Sequence, residues 1–354
     1  MNKSFWKHKK VLITGDTGFK GAWLAFLLNQ LGAVVQGFSS SKFNNNIKLY
    51  NSLKLESMNN TIDADIRDSS TLEKVFNSFQ PDCIFHLAAQ PLVRESYSDP
   101  VSTYDINVMG TLNILEAIRK SSSVQSAVLI TTDKCYENNE WEWGYRENDP
   151  LGGHDPYSSS KGCAEILIKS YQKSFFYDLK NSPGVSSARA GNVIGGGDFS
   201  TDRLIPDLYN SIIEKNAMLL RNPLATRPWQ HVLEPISGYL MIAEQLFDVG
   251  SSGNDSWNFG PQLTDIRTVQ EVSELFCNNW GVTDSIQYDK SNNQPHEAKS
   301  LSLDISKAFF NLKWTPKWNL EDAVQKTVFW YKSFFERKNM VNITAQQIEE
   351  YFSS

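Results

Sequence analysis

Short apolar runs alternate with stretches of helical periodicity through the first half of the chain, and polar segments separate them. The apolar runs predict β-strands at residues 11–14, 33–38, 61–66, 82–89, 126–132 and 185–194. The periodic stretches predict helices at residues 21–31 and 157–176, and a further helix capped by Asp68 or Ser69. Strands that alternate with helices are typical of a parallel sheet with crossover helices. The pattern therefore predicts an α/β fold with a doubly wound parallel sheet of the Rossmann type.

The second half has a weaker pattern. Residues 257–260 predict a short strand, and a capping box at residues 268–271 predicts the start of a helix. Residues 319–335 predict an amphipathic helix. The tail after Arg337 is either an added helix or an oligomer contact. These elements are typical of a smaller, mixed α/β unit that follows the first.

Three glycines stand where the first predicted strand meets the first predicted helix. Gly15, Gly18 and Gly21 form a Gly-x-x-Gly-x-x-Gly pattern. Glycines let the backbone turn tightly and approach a pyrophosphate, while the helix N-terminus offers N–H groups and partial positive charge. The alternative is a glycine-rich turn without a ligand, which the position between a strand and a helix disfavours. The pattern predicts a dinucleotide-binding loop.

Two positions near this loop bear on which dinucleotide binds. Asp65 ends the third predicted strand, where it accepts a hydrogen bond from an adenine amino group or else lies in a surface turn. The second strand leads into Ser39 and Ser40, without the acidic residue that grips the ribose of NAD. No arginine clamp for NADP is evident there either. The sequence favours NAD.

Tyr157 and Lys161 are four residues apart in a predicted helix, so their side chains share one face. A phenol has a free pKa of ~10 and is a poor base at neutral pH. One positive charge ~4 Å away, at an effective dielectric of ~20, contributes about 4 kcal/mol, or roughly three pKa units. We therefore expect Lys161 to bring the phenol near neutrality. Such pairs also arise by chance, but Thr132 at the end of a strand adds a hydroxyl that positions a substrate.

The composition and net charge narrow the class of protein. The 354 residues are 40% hydrophobic and 21% charged, with a formal net charge of −6, which argues against a general nucleic-acid binder. No apolar run approaches the ~20 residues that span a bilayer, and residues 11–13 lead straight into the glycine loop, so we expect neither membrane insertion nor a signal peptide.

We expect an NAD-binding domain at 1–190 and a predominantly substrate-binding domain at 191–354, which can return a strand and a helix to the first.

The four cysteines stand far apart, without a Cys-x-x-Cys pair: Cys83, Cys135, Cys163 and Cys277. A metal site or a disulfide framework is therefore not expected, and a reducing cytoplasm is the default compartment.

Taken together, the motifs at residues 15–21, 64–68, 86–90, 131–134 and 157–161 resemble those of the extended short-chain dehydrogenase/reductase family, over nearly the whole chain. The resemblance implies that Tyr157 deprotonates a sugar O4 with help from Thr132, and that Lys161 binds the nicotinamide ribose. It assigns these residues to an NAD cofactor: Gly15, Thr17, Gly18, Phe19, Lys20, Gly21, Asp65, Ile66, Leu87, Ala88, Ala89, Tyr157 and Lys161.

Within that family the chain is similar to the dehydratases that act on CDP-glucose, in long segments at 132–138, 143–147, 152–157, 189–198 and 227–234. That resemblance implies three steps: NAD takes hydride from sugar C4, water leaves across C5 and C6, and the hydride returns to C6. Their products are deoxysugars for surface polysaccharide.

The same resemblance implies further roles. Asp133 protonates the departing C6 hydroxyl. Lys134 is either the base that removes the C5 proton, which requires a lowered pKa, or a cation that stabilises the enolate. The catalytic set is Thr132, Asp133, Lys134, Tyr157 and Lys161. The residues expected to hold the substrate, CDP-glucose, are Gln90, Asn192, Arg203, Arg227 and His231. His231 has packing in the second domain as its alternative.

Two other functions stay open at the level of sequence. A nucleotide-sugar 4-epimerase of the same family uses Tyr157, Lys161 and Thr132 without requiring Asp133 and Lys134. A non-catalytic NAD-binding regulator has no need of a tuned phenol, so the Tyr–Lys pair counts against it. The family resemblance also implies a homodimer or homotetramer.

Overall fold

The structure is a computed structural model that describes residues 4–41, 47–177, 182–283, 286–288 and 300–354. Its strands are β1 (Lys10–Thr14), β2 (Val34–Ser39), β3 (Asn60–Asp63), β4 (Cys83–His86), β5 (Ser126–Ile130), β6 (Gly184–Ala190), β7 (Val193–Ile194), β8 (Met218–Leu220), β9 (Thr226–Pro228), β10 (Gln230–His231), β11 (Ser256–Phe259), β12 (Ile266–Thr268) and β13 (Ile286–Tyr288). Its helices are α1 (Phe19–Gln30), α2 (Ile47–Ser52), α3 (Ser69–Phe79), α4 (Val93–Ser98), α5 (Pro100–Tyr104), α6 (Gly110–Lys120), α7 (Pro156–Ser174), α8 (Leu204–Glu214), α9 (Leu233–Val249), α10 (Val269–Trp280), α11 (Leu320–Phe335) and α12 (Met340–Ser353).

The large sheet is parallel throughout. Within the described residues it has seven strands in the order β11-β6-β5-β4-β1-β2-β3. The chain builds outward from β1 in one direction through β3 and then restarts on the other side with β4. A crevice forms at such a switch point, outside the carboxyl ends of the strands. The predicted Rossmann-type sheet is confirmed.

Both faces of the sheet are covered by apolar side chains, as a doubly wound sheet requires. Val11 and Ile13 point to one face and belong to the larger core, together with nearly the whole of α1. Leu12 points to the other face, where it packs with Ile84 and Leu129 under α3 and α6. The alternation along β1 is the two-residue period of a strand.

Several predicted strands end earlier in the structure than the apolar pattern suggested. The strand predicted at 61–66 ends at Asp63, so Asp65 and Ile66 lie beyond the sheet. The strand predicted at 185–194 is two strands, β6 and the short β7, broken at Gly191 and Asn192. The apolar residues after each break line a cleft and no longer pair in the large sheet. Because they are apolar like strand residues, the sequence pattern extended the predicted strands too far.

The second half returns to the first sheet before it forms its own small elements. Strand β11 pairs with β6, and α9 packs against β5 and β6. Two- and three-residue strand pairs follow, β10–β7, β12–β9 and β13–β8, of which β7, β8 and β9 contribute residues to the wall of a cleft. The predicted capping box at Thr268 and Glu271 is present at the start of α10. The tail forms α12, which packs on α11, so the helix alternative is confirmed.

In the part of the chain that the structure describes, every helix is too short or too polar to cross a bilayer.

Candidate active site

A cleft of ≈ 780 Å³ lies at the carboxyl edge of the large sheet. Its wall includes every residue that the sequence predicted for the site except His231. These residues are Gly15, Thr17, Gly18, Phe19, Lys20, Gly21, Asp65, Ile66, Leu87, Ala88, Ala89, Gln90, Thr132, Asp133, Lys134, Tyr157, Lys161, Asn192, Arg203 and Arg227. The volume falls within the range of small-molecule sites.

The glycine loop is packed too closely for larger residues. Gly15 has φ +75°, and a Cβ there would lie 2.7 Å from the backbone nitrogen of Ala88. A Cβ at Gly21 would lie 2.0 Å from the carbonyl oxygen of Gly15. Gly18 caps α1 with extended backbone and without a side chain, so the first N–H groups of the helix face the cleft. This arrangement fits a pyrophosphate at the helix N-terminus.

Asp16 is a structural residue of the loop that the sequence analysis missed. Its carboxylate accepts hydrogen bonds from Ser39 at 2.7 Å and Thr61 at 2.6 Å, and so ties the loop to the end of β2 and to β3. The end of β2 lacks the acidic residue that grips the ribose in many NAD-binding proteins. Asp16, from the glycine loop, places a buried carboxylate there instead. Burial raises its pKa against these two hydrogen bonds. The available signal was its place between two of the glycines.

Asp65 lies at the rim of the cleft and carries a bidentate ion pair. Arg67 donates to Oδ1 from Nε at 2.9 Å and to Oδ2 from Nη2 at 2.7 Å, and also reaches Asp105 at 3.1 Å. Oδ1 also accepts from the backbone N–H of Arg67 at 2.9 Å. Contact with an adenine remains a prediction.

Tyr157 and Lys161 lie in the first turns of α7, whose N-terminus is capped by Asp155, which accepts from the Ser158 N–H at 2.9 Å. The Lys161 ammonium donates to the Ile130 carbonyl at 3.5 Å, at the end of β5. Both side chains are buried. The helical spacing therefore places the pair as predicted.

The predicted effect of Lys161 on the phenol is wrong for the free enzyme. Burial raises the pKa of Tyr157 to about 12, and the hydrogen bond between Tyr157 and Thr132 opposes that rise only in part. Burial also lowers the pKa of Lys161 to about 8. The simple Coulomb calculation failed because it omitted the desolvation of the phenolate, which is larger here than the attraction of a nearby charge.

Thr132 organises the loop that carries the other predicted catalytic groups. It caps the turn Asp133–Cys135, donating to Asp133 Oδ1 at 2.9 Å and accepting from the Lys134 N–H at 3.3 Å. Asp133 is 2% exposed, and burial raises the pKa of its carboxyl. Its Oδ2 has no hydrogen-bond partner among the described residues, and it faces Gly191. This carboxyl is suited to donate a proton in the cleft.

Two arginines line the same cleft. Arg203 precedes α8 and is held by Asp198 through an ion pair of 2.9 Å. Arg227 is 4% exposed on β9 and donates to the Thr226 carbonyl at 2.8 Å. Asn192 lines the cleft between β6 and β7. Guanidinium groups in this position are suited to a diphosphate.

Two predicted substrate residues are engaged elsewhere. His231 is fully buried between Trp23 and Trp318, and burial lowers its pKa to about 3. The structure does not place it on the wall of the cleft, and its ring contacts fit the packing alternative, while the substrate role stays a prediction. Gln90 lines the cleft, but its amide donates to Thr103 and to the Leu92 carbonyl.

Lys20, on the first turn of α1, brings a further basic side chain to a cleft that already holds Lys161 and Arg203 among others. Burial, with repulsion from Lys161 and Arg203, lowers the pKa of Lys20 to about 7. The nearby carboxylate of Asp133 favours the ammonium form. A positive charge at a helix N-terminus also opposes the helix dipole. The ligand-free fold therefore bears a cost that an anionic ligand relieves.

We expect Lys20→Met to raise the melting temperature of the ligand-free protein below about pH 7, where the lysine is charged in both folded and unfolded chains. The gain shrinks as the pH rises toward 10.5, the unfolded pKa, because neutral lysine carries no penalty. Thermal melts across this range measure it, with Lys74→Met on the exposed face of α3 as control. A gain that does not vary with pH would contradict the electrostatic cause.

A sequence match that extends well beyond the residues of the cleft shows the family to which the chain belongs. The model of the family described as GDP-mannose 4,6 dehydratase matches residues 12–327. The chain belongs to this family. It is a family of enzymes within the extended short-chain dehydrogenase/reductases, so the predicted resemblance is confirmed.

Individual relatives match over the whole length. A CDP-glucose 4,6-dehydratase of Salmonella typhimurium is 43% identical over 357 residues, covering 100% of this chain and 99% of that one. A CDP-paratose 2-epimerase of Salmonella typhi is 27% identical, covering 92% and 99%.

Solved structures share the fold. A dTDP-glucose 4,6-dehydratase of Bacillus anthracis in complex with NAD has a TM-score of 0.79 at 24% identity, covering 94% of this chain and 99% of that one. A UDP-glucose 4-epimerase of Thermotoga maritima has a TM-score of 0.80 at 19% identity, covering 92% and 99%.

Proposed function

We propose that the protein is a CDP-glucose 4,6-dehydratase, which converts CDP-glucose to CDP-4-dehydro-6-deoxy-D-glucose. The observation that carries the proposal is the meeting of Asp133 and Lys134 with Tyr157 in one cleft. An epimerase requires the Tyr–Lys pair and Thr132, whereas elimination of water requires an additional acid and base. The 43% identity to a CDP-glucose 4,6-dehydratase over the full length supports the same nucleotide sugar.

The residues around the glycine loop fit an NAD cofactor. The close-packed glycines, the open N–H groups of α1 and a single cleft lined by both Ser39 and Lys161 are suited to a dinucleotide. When bound, NAD accepts hydride from C4 of the sugar and later returns it to C6. We assign the pyrophosphate to the loop at 15–21 and the nicotinamide ribose to Lys161.

Tyr157 then handles the proton of the sugar O4. In the free enzyme the phenol is protonated at neutral pH, because its pKa is about 12. The positive charge of Arg203 favours phenolate, and a cationic nicotinamide acts in the same direction. We expect proton transfer from O4 only in the loaded complex, where Thr132 orients the hydroxyl toward the phenol.

Asp133 and Lys134 carry out the elimination. The buried Asp133 carboxyl keeps its proton more readily than an ordinary aspartate, so it protonates the departing C6 hydroxyl. Lys134 lines the cleft beside it and removes the C5 proton or stabilises the enolate as a cation. Arg203 and Arg227, together with Asn192, line the same cleft and hold the diphosphate.

Three further predictions extend this proposal. Residues 1–190 bind the cofactor and residues 191–354 predominantly the substrate, while β11 and α9 return to the sheet and core of the first part. The protein acts as a homodimer or homotetramer. It works in the cytoplasm, and its product enters deoxysugar synthesis for surface polysaccharide.

The proposal is tested by incubating the purified protein with CDP-glucose, UDP-glucose and dTDP-glucose and recording product masses. We expect CDP-glucose alone to lose one water at a substantial rate, since the cleft is assigned to that substrate. A product of unchanged mass with inverted C4 would favour the 4-epimerase. Absence of turnover with every sugar nucleotide would favour the regulator.

A further inference from the structure

A buried ion pair lies directly behind the reacting groups. Glu165 on α7 and Arg189 on β6 meet at 2.6 Å between Oε2 and Nη2, with side chains 1% and 3% exposed. Burial acts to raise the pKa of Glu165, but the charge of Arg189 and the hydrogen bonds from Arg189, Thr131 and Ser187 outweigh it. The net effect is a lowered pKa, so the carboxylate is ionised. Desolvating such a pair costs several kcal/mol per ion, and apolar replacements are often as stable. Stability alone is therefore a weak reason for this pair.

The carboxylate of Glu165 anchors the start of the loop at residues 131–136, which carries Asp133 and Lys134. Glu165 follows Lys161 by one helical turn and Tyr157 by two, on the inner face of α7. The Thr131 hydroxyl donates to its Oε1. Because Thr131 immediately precedes Thr132, this bond fastens the start of the loop to the helix that carries the phenol.

Arg189 anchors the C-terminal end of the same loop, at Tyr136. Its Nη1 donates to the Tyr136 hydroxyl at 2.7 Å, and its guanidinium lies 4.9 Å from the centroid of the Tyr136 ring. Tyr136 ends the turn that contains Asp133 and Lys134. It donates in turn to Asn258 Oδ1 on β11 at 2.7 Å. One carboxylate is thus connected to both ends of the loop.

We propose that Glu165, Arg189 and Tyr136 form a positioning bridge that sets Asp133 and Lys134 for the elimination of water. The proposal rests on the proposed function. None of the three lies on the wall of the cleft, so they act through the loop and not on the substrate. Tyr157 and Lys161 are fixed by their own helix and by the Ile130 carbonyl. Loosening the exit of the loop should therefore disturb elimination more than oxidation at C4.

The test is Tyr136→Phe, which keeps the ring beside Arg189 and removes the hydroxyl that accepts from Arg189 and donates to Asn258. In a single turnover with CDP-glucose, we expect the absorbance of reduced nicotinamide to rise at the wild-type rate and to persist. Elimination, measured as deuterium incorporation at C5 and loss of water, should be about tenfold slower, since displacements near 1 Å cost up to ~10²-fold. KM should change by less than about twofold.

Tyr239→Phe is the matched control. Tyr239 is fully buried on α9, and its hydroxyl has no hydrogen-bond partner in the described part of the chain. We expect both rates to equal those of the wild type. Glu165→Gln provides a second variant that retains the shape of the side chain and weakens both attachments, and it should slow elimination at least as much as Tyr136→Phe.

Equal slowing of oxidation and elimination in Tyr136→Phe, or a lower melting temperature with both rates unchanged, would overturn the bridge. Dehydration by the wild type of a different sugar nucleotide would refute only the substrate assignment, and the same comparison would then use that sugar. Absence of any elimination in the wild type would refute the proposed function and the bridge together.

Discussion

Replacing Tyr157 with phenylalanine is expected to lower kcat by about 10³-fold, within the ~10²- to 10⁴-fold range of a general acid–base group. The substitution removes the hydroxyl that takes the O4 proton and leaves the buried ring in place. Oxidation at C4 is the first step, so neither reduced nicotinamide nor a dehydrated product should form. Stopped-flow absorbance and product mass spectrometry measure the two outcomes.

This loss should be confined to chemistry. The phenol is buried, and its ionised form is disfavoured by desolvation, so Tyr157→Phe removes a polar group from the interior. We therefore expect an unchanged or higher melting temperature and NAD affinity within about threefold of the wild type. The Tyr239→Phe variant serves again as the control for loss of a buried hydroxyl. Retention of more than about a tenth of the wild-type kcat would exclude Tyr157 as the O4 base.

Asp133→Asn is expected to lower the rate of water loss by about 10²- to 10³-fold while oxidation at C4 proceeds. The amide has nearly the shape of the carboxyl and retains an acceptor for the Thr132 hydroxyl, but it supplies no proton to the departing C6 hydroxyl. The 4-keto sugar should accumulate with its C6 oxygen in place. Rapid quench followed by mass spectrometry distinguishes it from the dehydrated sugar.

Lys134→Met separates the two roles of the neighbouring lysine. If Lys134 is the base, exchange of the C5 proton with solvent stops in the variant, because methionine has no proton acceptor of comparable strength. If it is a cation that stabilises the enolate, exchange becomes slower but persists. In Asp133→Asn, by contrast, C5 exchange should remain near the wild-type rate. Loss of exchange in Asp133→Asn would mean that Asp133 acts on C5 and not on the leaving group.

Features that depend on neighbours along the chain were predictable from sequence. The glycine loop, the Tyr157–Lys161 spacing and the capping box at Thr268 each lie within a turn or two of helix or strand. Helices α8 and α9 were missed, and both begin without a side-chain cap, at Arg203 and Val232. The pattern provides no start signal at such positions.

Tertiary structure decided the environment of each side chain. The burial that raises the pKa of Tyr157, and the enclosure of His231 between two tryptophans, come from segments far apart in sequence. The connection of Glu165 through Arg189 to Tyr136 likewise joins a helix, a strand and a loop. Desolvation and contact depend on how elements pack in space. The sequence by itself therefore determined the fold class and proposed the reacting groups, and packing determined the burial and contacts of those side chains.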